Sequence, residues 1–287
     1  MRPEKIIEYL VTAWLIITLD WLLPNLFRGN VLTLKNYIEF IINIFRGNLG
    51  WSNWLWAPVT QIVLRALPFD ISVLTPAILI SWVSGAYIGV KSVRGRIRIL
   101  LPIFYALNSA PMFWVAMLLI LLFSTYLGLV PPTGTPYSVL PSLTTRYIVV
   151  YIRHWFLPFL SATVVLVGFW AVQARQSAVG EMNNGYMKYG EAVGLRADIL
   201  DRYLFRNTMM GSLAVLAIYL GSIIGGNAVL EAMFQYPGVG YLAQQALLRG
   251  DLALARGVFL AMSFMVLAAN LIIDLVLERP PWTTQEQ

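Results

Sequence analysis

The chain has 287 residues, of which 59% are hydrophobic and only 12% are charged, whereas soluble domains are about half apolar and about a quarter charged. This composition indicates an integral membrane protein with room for about six spanning helices of ~20 residues, and it argues against a large soluble enzyme domain. No cysteine occurs, which excludes disulfides, thiolate metal sites and a cysteine nucleophile. The net charge of +6 is typical of the cytoplasmic loops of multi-spanning proteins, so we expect membrane lipid and not nucleic acid around the chain.

Six apolar runs predict the spans, because an ionisable side chain at the centre of a bilayer costs about 2.5 to 3.5 kcal/mol. The first run is apolar except for Asp20. It is longer than the apolar part of a secretory signal, so we expect an uncleaved first helix. The third run is long enough for a span followed by an outer loop. The runs cover residues 6–27, 71–90, 99–145, 155–174, 207–230 and 257–273.

The basic residues orient the predicted helices. Six spans place both termini on the same side of the membrane as the charged segment at 175–206 and the dense cluster KSVRGRIR at 91–98. By the positive-inside rule this side is the cytoplasm, so we predict an all-α integral membrane protein with cytoplasmic N- and C-termini. The basic residues on the opposite side are scattered over longer segments: Arg28, Lys35, Arg46, Arg65, Arg146, Arg153, Arg249 and Arg256.

The first outer segment, residues 28–70, is more than a turn. It contains an apolar stretch at 37–45 and then Trp51, Trp54 and Trp56. Tryptophans of this kind favour the headgroup level of a membrane. We therefore predict a short helix lying on the outer surface, and we divide the chain into residues 1–70, with the first span and this surface segment, and residues 71–287.

A charged segment at about 180–207 lies between two apolar runs. It predicts two short helical stretches interrupted at VGLRAD, residues 193–198. Gly185, Gly190 and Gly194 suit chain reversals and close approach of the backbone, while Asp198 suits the start of an amphipathic helix. The apolar face of such a helix packs either on its own membrane domain or into another subunit, and the pattern alone favours the first alternative.

Two further stretches are predicted to interrupt membrane helices. Pro237, Gly238 and Gly240 do not suit the interior of a span, so the chain turns back near Phe234 and Tyr236. This hairpin either only closes the domain or acts as an outer gate that contacts a partner. Three residues of the third run, Asn108, Pro111 and Met112, are candidates for a kink along a translocation path, although a proline there also suits a simple helix start.

Several segments resemble one family in the same order along the chain. They are EAVGL at 191–195, the stretch from Ser109 to Gly134, the stretch from Glu231 to Asp251, NLIID at 270–274 and FRGNLG at 45–50. Together they are similar to the membrane-spanning permease subunits of ATP-binding-cassette importers of the dipeptide and oligopeptide family. Val193 departs from that pattern, because the family has a lysine before the glycine. The stretch that follows Gly194 is one residue shorter, and Gly211 falls near a common proline position.

The resemblance implies a type I permease fold, with a five-helix permease core in 71–287, and a pore-forming role. Its implied partners are a second, similar permease subunit, two ATP-hydrolysing subunits and an external solute-binding protein. ATP and Mg²⁺ would bind to the partner subunits, so no cofactor, metal or catalytic residue is expected in this chain. The loop that transmits ATPase movement would contain Gly190, Glu191, Ala192, Gly194, Leu195, Arg196, Asp198 and Arg202.

Rival functions have weaker support. The stretch GAYIGVKS at 85–92 lacks the spacing of a phosphate loop, so Lys91 is interpreted as a flanking anchor of a span. An intramembrane enzyme would have to use the lone His154, at the outer edge of a span, or Asp20. An ion-driven carrier needs carboxylates near the midplane, and Asp274 is interpreted as the only other acid near a span interior. For the solute we prefer peptides, then oligosaccharides, with nickel as a further cargo of related permeases.

Overall fold

The structure, a computed structural model, describes residues 3–27, 32–133, 145–222 and 228–277. Helices dominate these ranges, as predicted. Arg2, Arg28 and Arg279, together with residues 134–144 and 223–227 of the third and fifth runs, lie outside them. The α-helices are α1 (Pro3–Phe27), α2 (Leu34–Phe45), α3 (Val59–Arg94), α4 (Leu101–Ser109), α5 (Met112–Leu119), α6 (Thr145–Glu181), α7 (Gly185–Ala192), α8 (Ala197–Ser222), α9 (Ala228–Phe234), α10 (Val239–Leu248) and α11 (Leu252–Leu277).

Short irregular elements complete the described chain. Two strands, β1 (Trp51–Ser52) and β2 (Ala57–Pro58), pair antiparallel, with Trp51 opposite Pro58. A 3₁₀ turn, Arg96–Leu100, precedes α4. A π-helical stretch, Ile120–Tyr126, continues α5. A helix is present at the predicted stretch 37–45 as α2, and the Thr33 hydroxyl caps it by accepting a bond from the Asn36 amide at 3.3 Å. Its position on the outer surface stays a prediction.

Three helices of the described ranges are long and apolar enough to cross a membrane: Glu4–Leu26, Val59–Val93 and Ile148–Glu181. A fourth span results if Ile97–Ser109 and Met112–Tyr126 count as one, although they are bent by 107°. Leu252–Ala268 is a shorter apolar helix. The chain is thus a multi-pass membrane protein. The six-span count and the cytoplasmic position of both termini stay predictions.

One compact unit combines Met1–Ile71 with Leu220–Gln287. In it α1 packs along α11, where the Tyr9 hydroxyl donates to Asp274 Oδ2 at 2.9 Å and Lys5 Nζ lies 3.2 Å from Asp274 Oδ1. Its core contains the fully buried Val59, Val239, Leu254 and Val258. The predicted division of the chain at residue 70 stays a prediction.

The other compact unit is Ser72–Tyr219. Small residues let its helices approach closely. A Cβ on Gly85 would lie 2.5 Å from Trp170 Cβ, and one on Gly168 would lie 2.7 Å from Leu107 Cβ. Glycines therefore set the contacts of α3 with α6 and of α4 with α6, as is common between membrane helices.

Candidate functional sites

The charged segment folds as α7, a tight turn and the first part of α8. Its turn is a Schellman motif: Leu195 N donates to Gly190 O at 2.9 Å, and Gly194 N donates to Glu191 O at 3.1 Å. Gly194 has φ +75°, a backbone conformation that costs other residues roughly 1–2 kcal/mol. The interruption predicted at 193–198 is therefore this turn. The second helical stretch is not short, because α8 runs from Ala197 to Ser222 without a break.

One face of α7 is buried against its own unit. Met187 and Gly190 are buried, and Met187 belongs to an apolar cluster with Val90, Leu200 and Leu204. A Cβ on Gly190 would lie 2.8 Å from Leu200 Cδ2, so a larger residue there would require the Leu200 side chain to shift. The helix is thus fixed to α3 and α8 by packing.

The opposite face of α7 and its turn is exposed. Tyr189 is 71% exposed and Val193 is 53% exposed. The other predicted loop residues on this face, Glu191, Ala192, Gly194, Leu195, Arg196, Asp198 and Arg202, are exposed as well. Arg196 Nε lies 3.0 Å from Asp198 Oδ1, an ion pair at the surface. Of the predicted residues, Gly190 is buried, and the side chain of Leu195 lies beside it.

A salt bridge joins the charged segment to the end of a spanning helix. Lys91 Nζ donates to Asp201 Oδ2 at 2.7 Å, which links α3 to α8. Arg175 donates from Nη1 to the carbonyl oxygen of Ser92 at 2.8 Å, which links α6 to the same end of α3. Lys91 is thus part of an ion pair between helices.

The predicted hairpin is formed by α9, residues 235–238 and α10, and we call it the PGVG hairpin. Phe234 and Tyr236 are fully or nearly fully buried, Gly238 and Gly240 are buried, and Pro237 is half-buried. The structure brings all five predicted residues together in the interior of their unit. Their role as a gate stays a prediction.

Two buried carboxylates hold the start of α10. Asp70 Oδ2 accepts from the Val239 amide at 2.9 Å, and Glu231 Oε2 accepts from the Tyr241 amide at 2.8 Å. Asp70 is 2% exposed and Glu231 is 5% exposed. A Cβ on Gly238 would overlap both Asp70 Oδ1 and Glu231 Oε2. The glycine therefore makes room for two acids at one point, where their oxygens satisfy amides of the helix N-terminus that have no partner within the helix.

The sequence-based interpretation of Asp274 as the only other acid near a span interior is wrong. Asp70 lies within the spanning helix Val59–Val93 and is more deeply buried. Asp274 instead lies near the end of α11 beside Tyr9 and Lys5. The sequence signal for Asp70 is its position directly before the apolar run 71–90, at the end of the segment predicted to lie outside the membrane.

A third acid, Asp251, connects the segment that contains β1 and β2 to the start of α11. Its carboxylate accepts from Ser52 Oγ at 2.7 Å, from the Trp54 amide at 3.0 Å and from the Leu254 amide at 3.0 Å. Burial alone would raise the pKa of Asp251, but these hydrogen bonds outweigh burial and lower it below the ordinary value. The neighbouring Arg249 lies 4.4 Å from the ring centroid of Trp54.

The predicted kink residues lie at the bend between α4 and α5. Asn108 and Pro111 are exposed and Met112 is half-buried, next to the 107° break. Pro111 precedes α5, where its missing N–H does not interrupt a helix. His154, far along the chain, has its Nδ1 2.8 Å from the carbonyl oxygen of Thr133, a contact that fixes a loop to α6.

Several long apolar helices, with one helix pair bent by 107° near Pro111, define the class of multi-pass membrane proteins. Residues 77–279 match the family described as binding-protein-dependent transport system inner membrane component. Because this match covers more than half of the 287 residues, the chain belongs to that family.

Three relatives have similar sequences. A protein of Brucella abortus (strain 2308), named as a peptide transport system permease, is 29% identical over 243 residues, 83% of this chain and 76% of that protein. The metal-staphylopine import system permease protein of Staphylococcus aureus (strain NCTC 8325 / PS 47) is 23% identical, over 85% of this chain and 75% of its own length. The di/tripeptide transport system permease protein of Pseudomonas aeruginosa (strain UCBPP-PA14) is 24% identical, over 84% and 78%.

Proposed function

We propose that this chain is the pore-forming permease subunit of an ATP-driven importer that takes up di- and oligopeptides. An external solute-binding protein delivers the solute. A second, similar permease subunit completes the path, and two separate subunits bind ATP and Mg²⁺ and hydrolyse the nucleotide. The charged segment is the coupling element between these ATPase subunits and the membrane helices.

The two faces of α7 carry this proposal. A helix that packs only on its own domain exposes polar side chains, but here the outward face presents Tyr189 and Val193 beside charged residues. An exposed apolar patch rimmed by charge is typical of a surface that fits a partner protein. The inward face, with Met187 in the apolar cluster, keeps the helix from moving independently of its unit.

The links from α7 to the spanning helices provide a route for movement. A displacement of α7 acts on α8 through the turn at Gly194 and on α3 through the apolar cluster and the Lys91–Asp201 pair. Packed helices switch between discrete arrangements instead of deforming continuously. Closure of the ATPase subunits would thus be converted into a change of the helix packing around the path.

The peptide cargo is supported by the names of the Brucella and Pseudomonas relatives. The name of the staphylococcal relative shows that related permeases serve other solutes. We therefore expect mass spectrometry of the cognate binding protein, purified without denaturation, to find retained peptides. Retention of an oligosaccharide or a metal chelate would leave the importer type standing and reject the peptide assignment.

The coupling role is tested at Gly194 in reconstituted complexes. Gly194→Val forces a β-branched residue into the left-handed region, so we expect solute-stimulated ATP hydrolysis to be lost while the chain remains inserted. Gly194→Asn is the matched control, because asparagine tolerates this region, and nothing lies within 4 Å of the added Cβ. Unchanged coupling in Gly194→Val would remove the turn from this role.

A further inference from the structure

An apolar groove of ≈ 430 Å³ lies between α1 and α11. Its walls include Leu19, Leu23 and Phe259, which are 51%, 48% and 43% exposed. These helices are apolar and span or approach the membrane. A groove with such walls in this environment suits a hydrocarbon chain.

One end of the groove is charged. Asp20 and Arg256 line it, and both also line an adjoining cavity of ≈ 180 Å³ that contains Asn43 and Asn48. Asp20 Oδ2 is shielded from solvent and accepts no hydrogen bond from any residue that the structure describes. The Arg256 guanidinium lies 4.6 Å from the ring centroid of Phe40. The site therefore offers one buried acceptor oxygen of Asp20, the guanidinium of Arg256, which attracts that carboxylate electrostatically, and two amides.

The charged end lies toward one boundary of the membrane. Lys5 contacts Asp274 at the other end of the same helix pair. Because Lys5 and Asp20 are 15 residues apart, they are separated by about 22 Å along α1, most of a hydrocarbon core of ~30 Å. Trp21 and Tyr37 pack edge to face beside Asp20, with ring centroids 5.1 Å apart, and such aromatic side chains favour the headgroup level.

An anion and a cation beside a hydrocarbon groove match a zwitterionic lipid. A primary ammonium has three N–H donors for the buried oxygen of Asp20, whereas a trimethylammonium has none. A phosphate suits a guanidinium through paired, charge-assisted bonds. An anionic headgroup without an ammonium would leave Asp20 Oδ2 without a donor, and a buried polar atom without a hydrogen bond is costly.

From this complementarity we propose that the groove between α1 and α11 binds a phospholipid with a primary ammonium headgroup, that is, a phosphatidylethanolamine. Asp20 holds the ammonium, Arg256 holds the phosphate, and one acyl chain lies along Leu19, Leu23 and Phe259. The site shares no residue with the charged segment, Leu247 is the residue of α10 that lines it, and the proposal does not depend on which solute is carried.

Native mass spectrometry of the delipidated transporter complex tests this site directly. The complex is mixed with equal amounts of phosphatidylethanolamine, its mono-, di- and trimethylated forms, and phosphatidylglycerol, all with the same acyl chains. We expect retention to fall with each added methyl group, by roughly tenfold from the primary ammonium to the trimethylated lipid, since a charge-assisted hydrogen bond is lost. Equal retention of these lipids would overturn the proposal.

Variants test which lipid group each of the two charged residues binds. Asp20→Asn is expected to abolish the preference for the primary ammonium, and Arg256→Gln to weaken all methylated forms equally because they share the phosphate. Glu39→Gln, an exposed acid on α2, is the matched control and should retain the preference. If the asparagine variant does not assemble, Asp20→Glu is used instead. It keeps the charge but moves the carboxylate, so the preference for the primary ammonium should weaken.

Two other results would also reject the site. One is a preference that survives Asp20→Asn. The other is a cross-link from a cysteine at Phe259 to the second permease subunit, without any bound lipid, which would show that a protein surface fills the groove.

Discussion

At the scale of single residues, Gly238 is the most constrained position of the PGVG hairpin. Gly238→Ala would drive a methyl group into the carboxylates of Asp70 and Glu231, both of which are held by amides of α10. We expect a loss of about 1–3 kcal/mol in the free energy of unfolding, as for other overpacked sites. Thermal unfolding of the purified complex measures it.

The control for that substitution is Gly180→Ala, which lies in a helix with nothing within 4 Å of the added Cβ. It should be neutral or slightly stabilising, because alanine is the better helix former. If both variants have the melting temperature of the unaltered complex, the two carboxylates do not approach Gly238 closely.

Asp251 predicts a pH dependence. Its pKa is lowered in the folded chain because hydrogen bonds from Ser52 and from backbone amides outweigh burial. Its contribution is therefore fully present above the unfolded pKa of about 3.9 and is lost as the pH falls through the folded pKa. Asp251→Asn should cost about 1–3 kcal/mol near neutral pH.

Unfolding of the two forms at a series of pH values tests this prediction. The difference in stability between the unaltered chain and Asp251→Asn should stay constant above about pH 5 and shrink only at more acidic pH. A difference that is independent of pH, or one that grows on acidification, would show that the carboxylate is not the stabilising form.

At the scale of elements, the two faces of α7 predict opposite phenotypes. Met187→Ala removes a fully buried side chain from the apolar cluster and should cost about 2–5 kcal/mol of stability. Tyr189→Ala removes an exposed side chain, so the melting temperature should hold while solute-stimulated ATP hydrolysis falls. Melting curves and ATPase assays on the same preparations separate the two effects.

The matched control is Tyr203→Ala, since Tyr203 is likewise an exposed tyrosine but lies on α8, beyond the turn. It should change neither stability nor coupling to the extent that Tyr189→Ala does. Equal loss of coupling in both variants would mean that exposed apolar area in general, and not the outward face of α7, is what the partner contacts.

Elements with a local signal could be predicted from the sequence. The helix in 37–45, the interruption at 193–198 and the turn near Pro237 follow from periodicity, glycine and proline, which act within a few residues. The continuity of α8 could not be predicted. Its first part carries charged residues up to Arg206, so the sequence indicates a separate charged segment followed by an apolar span, and not one helix. The 107° bend at Pro111 and the approach of Asp70 and Glu231 to the same glycine depend on contacts between distant parts of the chain.

At the scale of the whole molecule, the positive-inside rule predicts that Tyr189 faces the cytoplasm and Trp56 faces outward. Both side chains are exposed, and the chain has no cysteine, so single cysteines at these positions need no altered background. An impermeant thiol reagent added to intact cells should label Trp56→Cys and spare Tyr189→Cys until the cells are opened. The reverse pattern would invert the predicted orientation.

The most direct test of the coupling role is cross-linking from Tyr189→Cys in the assembled transporter, with a short thiol-reactive photo-cross-linker. We expect a cross-linked product with an ATP-binding subunit, and the yield of this product should change when nucleotide closes the ATPase pair. Trp56→Cys should give no such product. An intact, active complex in which Tyr189→Cys reacts with no ATP-binding subunit would contradict the account.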